Sequence, residues 1–535
     1  MPQELLPHLK WFTQTDYTHV SYVDLKPRVT DARIFTPDDD HPNGWGTVMI
    51  IGMRFGGSCA GCSSTNGGTP MTVTADFAGS GTTTTRTFYS AYVALDVTNP
   101  EKDPTILWVF TDSTLGLSTG LPSVLRVNPS TDAPTDNTNA VWMAIFGSGP
   151  TGYTGASSQT AKFYGVNMHS GPVYAASGAF AGPIFDTKDA NSFTGDLTTV
   201  DLYLTYRVNV IYGGITISTG LSNPKWAGKL YRLTTNSSTN TSLWGISGTG
   251  DTRVPTALIS SYPYSSSPAP CGTSSPCRVG PIASAPAVAM DDKGNLWVIF
   301  GTGRYWETAD RTNTELQAFF GIKDTFMTAG EPSQTTERNS LFNVSGIVVC
   351  SAGLGCSPTS NVSFDGGASY TTGLTLTPPG GPLNLIAQIQ AVDGWVTSQP
   401  GAGERSLNLP AVMGGTVFAT SFIPSPDLCS ASGTGSLYAL YYMSGTGYSD
   451  GSLGTQTSGS TTVAVREVSL AEGMPSAPAY QLGGQGQGTA GSNSASRGCN
   501  SRLTIFVQSS TGALNQVCGK PTLSVWSRIL SWRNL

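Results

Sequence analysis

The chain has 535 residues, a formal charge of −6 and only 12% charged residues, about half the ~25% of an ordinary soluble domain. It is 39% hydrophobic and 10% aromatic, with 64 glycines. This balance is too apolar for a disordered chain, too acidic for binding nucleic acid by phosphate neutralisation, and too poor in charge for a helical bundle. A large all-β protein with long loops remains.

Along the chain, Pro2 to Phe12 predicts one short helix and strands follow it. No apolar run approaches ~18 residues, so no membrane span is expected. Four strands that end in glycine recur: Thr47–Gly52, Val141–Gly147, Val208–Gly214 and Leu296–Gly301. Each precedes a strand of small, aromatic and apolar residues: Tyr92–Val97, Phe163–Asn167, Lys229–Leu233 and Ala318–Asp324. A fifth copy pairs Thr416–Thr420 with Ser436–Tyr441. An earlier strand often opens on a proline step, at Pro122, Pro286, Pro410 and Pro475 to Pro478. Trp108–Phe110 and Leu243–Trp244 read as outer strands.

Four antiparallel strands per unit cannot bury both of their faces, so the units must stack on one another. Radial stacking makes a β-propeller, with the glycines where backbones crowd. Residues 1–535 are read as a single propeller domain of six or seven blades. The spacing of the units requires long insertions near 55–87, 149–162, 214–226, 234–280 and 324–385.

The nine cysteines sit mostly in Gly/Ser/Pro-rich loops. Cys59/Cys62, Cys271/Cys277 and Cys350/Cys356 are close pairs, and Cys499 and Cys518 flank an apparent strand pair, which leaves Cys429 without a partner. Loop-confined pairs are expected as disulfides of an oxidising compartment. The Met1-Pro2-Gln3-Glu4 start carries no export signal, so an exported chain of this kind is expected to be the C-terminal part of a longer protein. Ser63 follows Cys62 where covalent haem would need His, and the four histidines (His8, His19, His41, His169) supply no second ligand pair for zinc. No nucleophile elbow, phosphate loop or carboxylate pair stands in its required setting, so no catalytic residue is named and no enzyme is expected.

Several ordered motifs carry a family resemblance. They are Pro2–Pro7 with Tyr17–Asp24; Trp45–Val48 with Ala94–Thr98; Phe300-Gly301-Thr302-Gly303-Arg304-Tyr305-Trp306 with Asp310 and Gln317–Asp324; Gly403-Glu404-Arg405; and the Ser531-Trp532-Arg533 ending. In this order they resemble the C-terminal domain of the PilY family, the type IV pilus tip-associated adhesin and biogenesis factor.

The resemblance implies a modified seven-bladed propeller, exported through the periplasm to the pilus tip or outer surface. There it would support pilus assembly, twitching motility and attachment, with minor pilins and a host or abiotic surface ligand as partners. It also implies calcium as a possible cofactor, because many members carry an Asp-rich loop before the strand matching Val208 to Gly213. Here that segment holds Asp186, Asp189, Asn191, Asp196 and Asp201, without the alternating Asp-x-Asp-x-Asp-Gly spacing that points oxygens at one centre. A solvated acidic loop is the other reading, and Asp38-Asp39-Asp40 is a second such cluster. Two further functions stay open: a quinoprotein-like propeller dehydrogenase, although no two cysteines are adjacent here, and a non-catalytic scaffold that docks minor pilins. Arg304, Tyr305 and Trp306 either line a binding surface or pack internally, with Arg304 paired to Asp310.

Overall fold

In the computed structural model, residues 2–17, 21–62, 71–77, 79–129, 131–133, 135–175, 177–220, 225–247, 253–260, 278–326, 335–349, 362–363, 369–372, 383–427, 433–448, 450–458, 461–482 and 503–520 are described. The chain divides into two compact units: Met1–Trp226 with Leu230–Thr256 and Ser531–Leu535, and Ala227–Lys229 with Ala257–Leu530.

In the first unit, Gln3–Thr13 forms a 3-10 helix. The first sheet then runs Arg28–Arg33, Trp45–Gly52, Tyr92–Asp96, Thr105–Phe110. Its second strand alternates buried and less buried residues, the period of two expected of a strand with one covered face. Its last strand is the outer Trp strand read from the sequence. The second sheet runs Ser123–Val127, Val141–Gly147, Lys162–Asn167, Ile184–Asp186. The third begins with Ser192–Val200 paired antiparallel to Val210–Ser218.

Aromatic rings fill the space between the first two sheets. Phe110 lies 4.9 Å from Phe146, 5.3 Å from Tyr164 and 4.9 Å from Phe180, centroid to centroid. Such pairs contribute roughly 0.5–1.5 kcal/mol each beyond their burial.

In the second unit, one sheet carries Ala287–Met290, Leu296–Gly301, Ala318–Asp324 and Gly394–Ser398, with Phe342–Asn343 at its edge. Every residue of Leu296–Gly301 is buried, as a strand covered on both faces must be. The next sheet runs Ala411–Met413, Thr416–Pro424, Gly433–Tyr441, Glu467–Ser469, and a last one runs Ala479–Leu482, Leu503–Gln508, Leu514–Gly519. Trp297, Phe319, Trp395, Val417 and Tyr438 share one core cluster, and Phe418, Leu437, Ile505 and Val517 share another.

The glycine-ended strands behave as stacking requires. A Cβ on Gly147 would come within 1.5 Å of the Thr194 hydroxyl, and one on Gly301 within 2.4 Å of the Ser406 side chain. At Gly147 the neighbouring strand Ser192–Val200, and at Gly301 the loop carrying Ser406, occupies the volume a side chain would need. Among the described residues, seven sheets have three or more strands.

Two elements differ from the sequence reading. Leu243–Trp244 is not an outer strand: Thr241–Leu243 is a 3-10 turn capped by Asn240, and the wholly buried Trp244 stacks on Phe185 at 5.8 Å. The turn wins because the Asn240 side chain accepts from Ser242 N, closing the chain locally. The insertion expected at 214–226 starts later, since the strand continues to Ser218. Within the other insertions lie the hairpins Met71–Ala75 with Thr84–Phe88 and Ile246–Ser247 with Arg253–Val254. The insertion at 324–385 holds the short strands Ile347–Val349, Val362–Ser363, Ser369–Thr372 and Leu383–Asn384. Among the described residues, no helix is long and apolar enough to cross a membrane.

Candidate functional site

The segment with the most specific motif, Gly301 to Asp324, leaves the strand Leu296–Gly301 and crosses a 3-10 turn at Thr308–Arg311 before the next strand. The Asp310 carboxylate organises that turn by accepting from Trp306 N at 2.7 Å and Glu307 N at 3.0 Å. Arg304 Nη2 reaches the same carboxylate at 3.2 Å, with side-chain exposures of 3% and 2%. Its Nη1 lies 3.7 Å from Glu307. Burial lowers the Arg304 pKa to about 10, against the opposing pull of Asp310 and Glu307; the group remains a cation at neutral pH.

Arg405 completes this node from another loop. Its Nε donates to Gly403 O at 2.8 Å, its Nη1 to Arg304 O at 3.1 Å and Asp310 O at 2.7 Å, and its Nη2 to Asn313 O at 2.8 Å. One planar fork therefore ties four backbone carbonyls together, a task an ammonium cannot do with the same geometry. The adjoining Glu404 accepts from Gly401 N at 2.8 Å, Ser421 Oγ at 2.5 Å and Tyr438 OH at 2.6 Å. Burial, and then the charge of Glu404, push the Tyr438 pKa up. Tyr305 meets Phe422 edge-on at 5.7 Å. Arg304, Asp310, Glu404 and Arg405 are thus brought together in the interior, where they fix loop shape; of the surface and packing readings, the geometry fits packing.

Of the residues weighed for calcium, Asp186, Asp189 and Asp196 each hold a hydrogen bond of their own. Asp186 ends a strand and holds Lys188 N at 2.8 Å. Asp189 accepts from the Tyr231 hydroxyl. Asn191 has a left-handed backbone, φ 53°. Asp196 takes Leu121 N at 2.8 Å. Among the described residues, no group of three or more His, Cys, Asp or Glu side chains is gathered to hold a metal.

Cys59 and Cys62 form a disulfide. Cys518 is disulfide-bonded as well, while Cys271, Cys277, Cys350, Cys356, Cys429 and Cys499 lie outside the described residues.

Two arrangements lay beyond sequence reasoning. Asp291 holds Asn295 N at 2.8 Å and Trp297 Nε1 at 3.0 Å, anchoring a core ring to a turn. His41 bridges two carboxylates, with Nδ1 2.9 Å from Asp38 and Nε2 3.0 Å from Asp96. The Asp38-Asp39-Asp40 cluster marked one side of that bridge, and no local signal marked Asp96.

No family model matches the chain. Two curated relatives, both described as type IV pilus biogenesis factor PilY1 homologues of Xylella fastidiosa (strain Temecula1 / ATCC 700964), are similar to it. One is 24% identical over 455 residues, 83% of this chain and 24% of the relative. The other is 22% identical over 447 residues, 82% of this chain and 27% of the relative. The chain spans about a quarter of the length of these relatives. The solved structure of the Pseudomonas aeruginosa PilY1 C-terminal domain matches with a TM-score of 0.55 and 16% identity, covering 97% of this chain and 87% of that one. The fold it shows is a β-propeller. In sequence the chain is similar to the two PilY1 homologues, and in fold it is similar to the PilY1 C-terminal domain.

Proposed function

We propose that this chain is the surface-presented domain of a type IV pilus biogenesis factor, and that it supports pilus assembly, twitching motility and attachment from the pilus tip. The observation that carries this reading is the similarity over 83% of the chain to a PilY1 homologue. The disulfide between Cys59 and Cys62 suits a protein exported through the periplasm to an oxidising exterior. Minor pilins are the mounting partners, and a host or abiotic surface is the distal one. The role proposed is non-enzymatic, in keeping with relatives described as pilus biogenesis factors; the buried ions of the Arg304 motif serve loop geometry.

The test labels the chain with gold on intact, piliated cells and scores attachment in parallel. Gold at pilus ends, with attachment lost when the gene is removed, is the expected result. Gold confined to the cell body, with attachment unchanged, would refute the tip-adhesin role.

A further inference from the structure

The strands Met71–Ala75 and Thr84–Phe88 form a two-stranded ribbon, and among the described residues no third strand joins it. The register is unbroken, from Met71 opposite Phe88 to Ala75 opposite Thr84. The Asp76 carboxylate fixes the turn between them, accepting from Ser80 N at 3.0 Å and Gly81 N at 2.6 Å. The ribbon touches the 3-10 helix Gln3–Thr13.

Its two edges differ. Phe88 O accepts from Ser58 Oγ at 3.1 Å, and Ser90 N donates to Ser58 O at 2.7 Å, so the root of Thr84–Phe88 is tied to the body of the unit. That strand also carries Arg86, whose guanidinium lies 5.7 Å from the Phe77 ring and 5.5 Å from the Phe88 ring. Met71–Ala75 makes hydrogen bonds only within the hairpin. In an antiparallel pair, alternate N–H and C=O groups point away from the neighbouring strand. This edge therefore presents a row of unmade bonds.

An edge of this kind is usually guarded by lysine, proline, a bulge or an inward charge. The edge strand Arg28–Arg33 of the first sheet carries Arg28, Asp31 and Arg33. Met71–Ala75 has no charge, no proline and no bulge. Thr72 and Thr74 are exposed on one face, and Met71, Val73 and Ala75 are half-buried on the other.

The strand complements a second copy of itself. In an antiparallel register centred on Val73, Met71 of each copy lies opposite Ala75 of the other, a long side chain against a short one, and the two Val73 side chains meet. On the exposed face Thr72 lies opposite Thr74. A threonine pair of this type already closes within the hairpin, Thr74 Oγ1 to Thr85 Oγ1 at 2.9 Å. The same operation on Thr84–Phe88 would set Arg86 against Arg86, and like charges directly opposed are destabilising. Charge thus selects the Met71–Ala75 edge.

We propose that two copies of the chain pair edge to edge along Met71–Ala75, joining their hairpins into one four-stranded sheet across a two-fold axis. The contact is smaller than a standard interface, so the association is weak.

Sedimentation velocity of the 535-residue chain, loaded from about 1 µM to about 300 µM to bracket weak association, is expected to show a monomer–dimer equilibrium. Backbone hydrogen exchange at the upper concentration is expected to slow at Met71–Ala75, with no comparable change at Thr84–Phe88. Thr72→Lys with Thr74→Lys opposes lysine to lysine twice across the axis. It weakens the dimer roughly tenfold or more, although it lowers the negative charge of the chain. Thr72→Lys with Thr74→Glu opposes lysine to glutamate and keeps the affinity within about threefold of wild type. Circular dichroism checks the fold of each variant, and the exchange measurement stands without them. A chain that is monomeric at every concentration, a dimer that leaves exchange at Met71–Ala75 unchanged, or equal affinity in two folded double variants overturns the proposal.

Discussion

Arg304 Nη2 lies 3.2 Å from Asp310 Oδ2, and both side chains are almost wholly buried. An ion pair in such a place is weak evidence of net stabilisation, since desolvation offsets much of the attraction. Its value here is positional. Asp310 shapes the turn that follows the Gly301 strand, and Arg304 neutralises the charge that turn requires. Arg304→Met strands a buried carboxylate, and urea unfolding should show a loss of about 3–5 kcal/mol. Adding Asp310→Asn to it should recover part of that loss, because the stranded charge is then gone. Equal stability of the single variant and the wild type would show the pair to be dispensable.

The Gly147 position makes a steric prediction. A Cβ there would meet the Thr194 hydroxyl at 1.5 Å and its Cβ at 2.4 Å. Gly147→Ala must push the two sheets apart, and overpacking of this sort costs about 1–3 kcal/mol. Thermal unfolding checks it, and a variant as stable as the parent contradicts the close approach.

His41 gives the chain a dependence on pH. Only the imidazolium can donate to both Asp38 and Asp96. Burial opposes its charge, but the hydrogen bonds to the two carboxylates win and raise its pKa. Backbone donation from His41 lowers the pKa of Asp38. For Asp96, burial is outweighed by bonds from Thr98 and His41, again lowering the pKa. A raised His pKa gives stability that is full below about pH 6.5 and is lost as pH rises through the folded value; lowered Asp pKa values give stability present above about pH 3.8 and lost on acidification. The melting temperature should therefore fall from pH 6.5 towards pH 8 in the wild type and stay flat over that range in His41→Gln. Parallel profiles would remove His41 from the account.

The Cys59–Cys62 disulfide closes a short loop. Chain entropy assigns about 2 kcal/mol to a closure of this length. Cys59→Ser with Cys62→Ser should lose no more than that in chemical unfolding, with the fold retained. Collapse of the fold would mean that the bridge does more than clip a loop.

Much of this architecture was readable from the chain. Leu296–Gly301 announced itself because a buried strand must be apolar throughout, and its terminal glycine because the Ser406 side chain stands where a Cβ would go. Leu243–Trp244 misled for a definable reason: Trp suits strands, but the Asn240 cap three residues upstream of Leu243 turned the chain into a 3-10 turn. The node around Arg405 was only half legible. Its motif was visible, but its partners Arg304, Asp310 and Asn313 are more than 90 residues away, and no local pattern encodes that distance. The Asp201 segment looked like an acidic loop because composition cannot tell a carboxylate that holds backbone amides, as Asp201 holds Tyr203 N and Thr205 N, from one that faces water.

The central claim, that the chain belongs to the machinery that builds type IV pili, is tested most directly by counting surface pili on cells from which its gene has been deleted. We expect few or no pili by electron microscopy and little pilin in the sheared fraction, with both restored when the gene is supplied in trans. Wild-type pilus numbers in the deletion strain would contradict the claim.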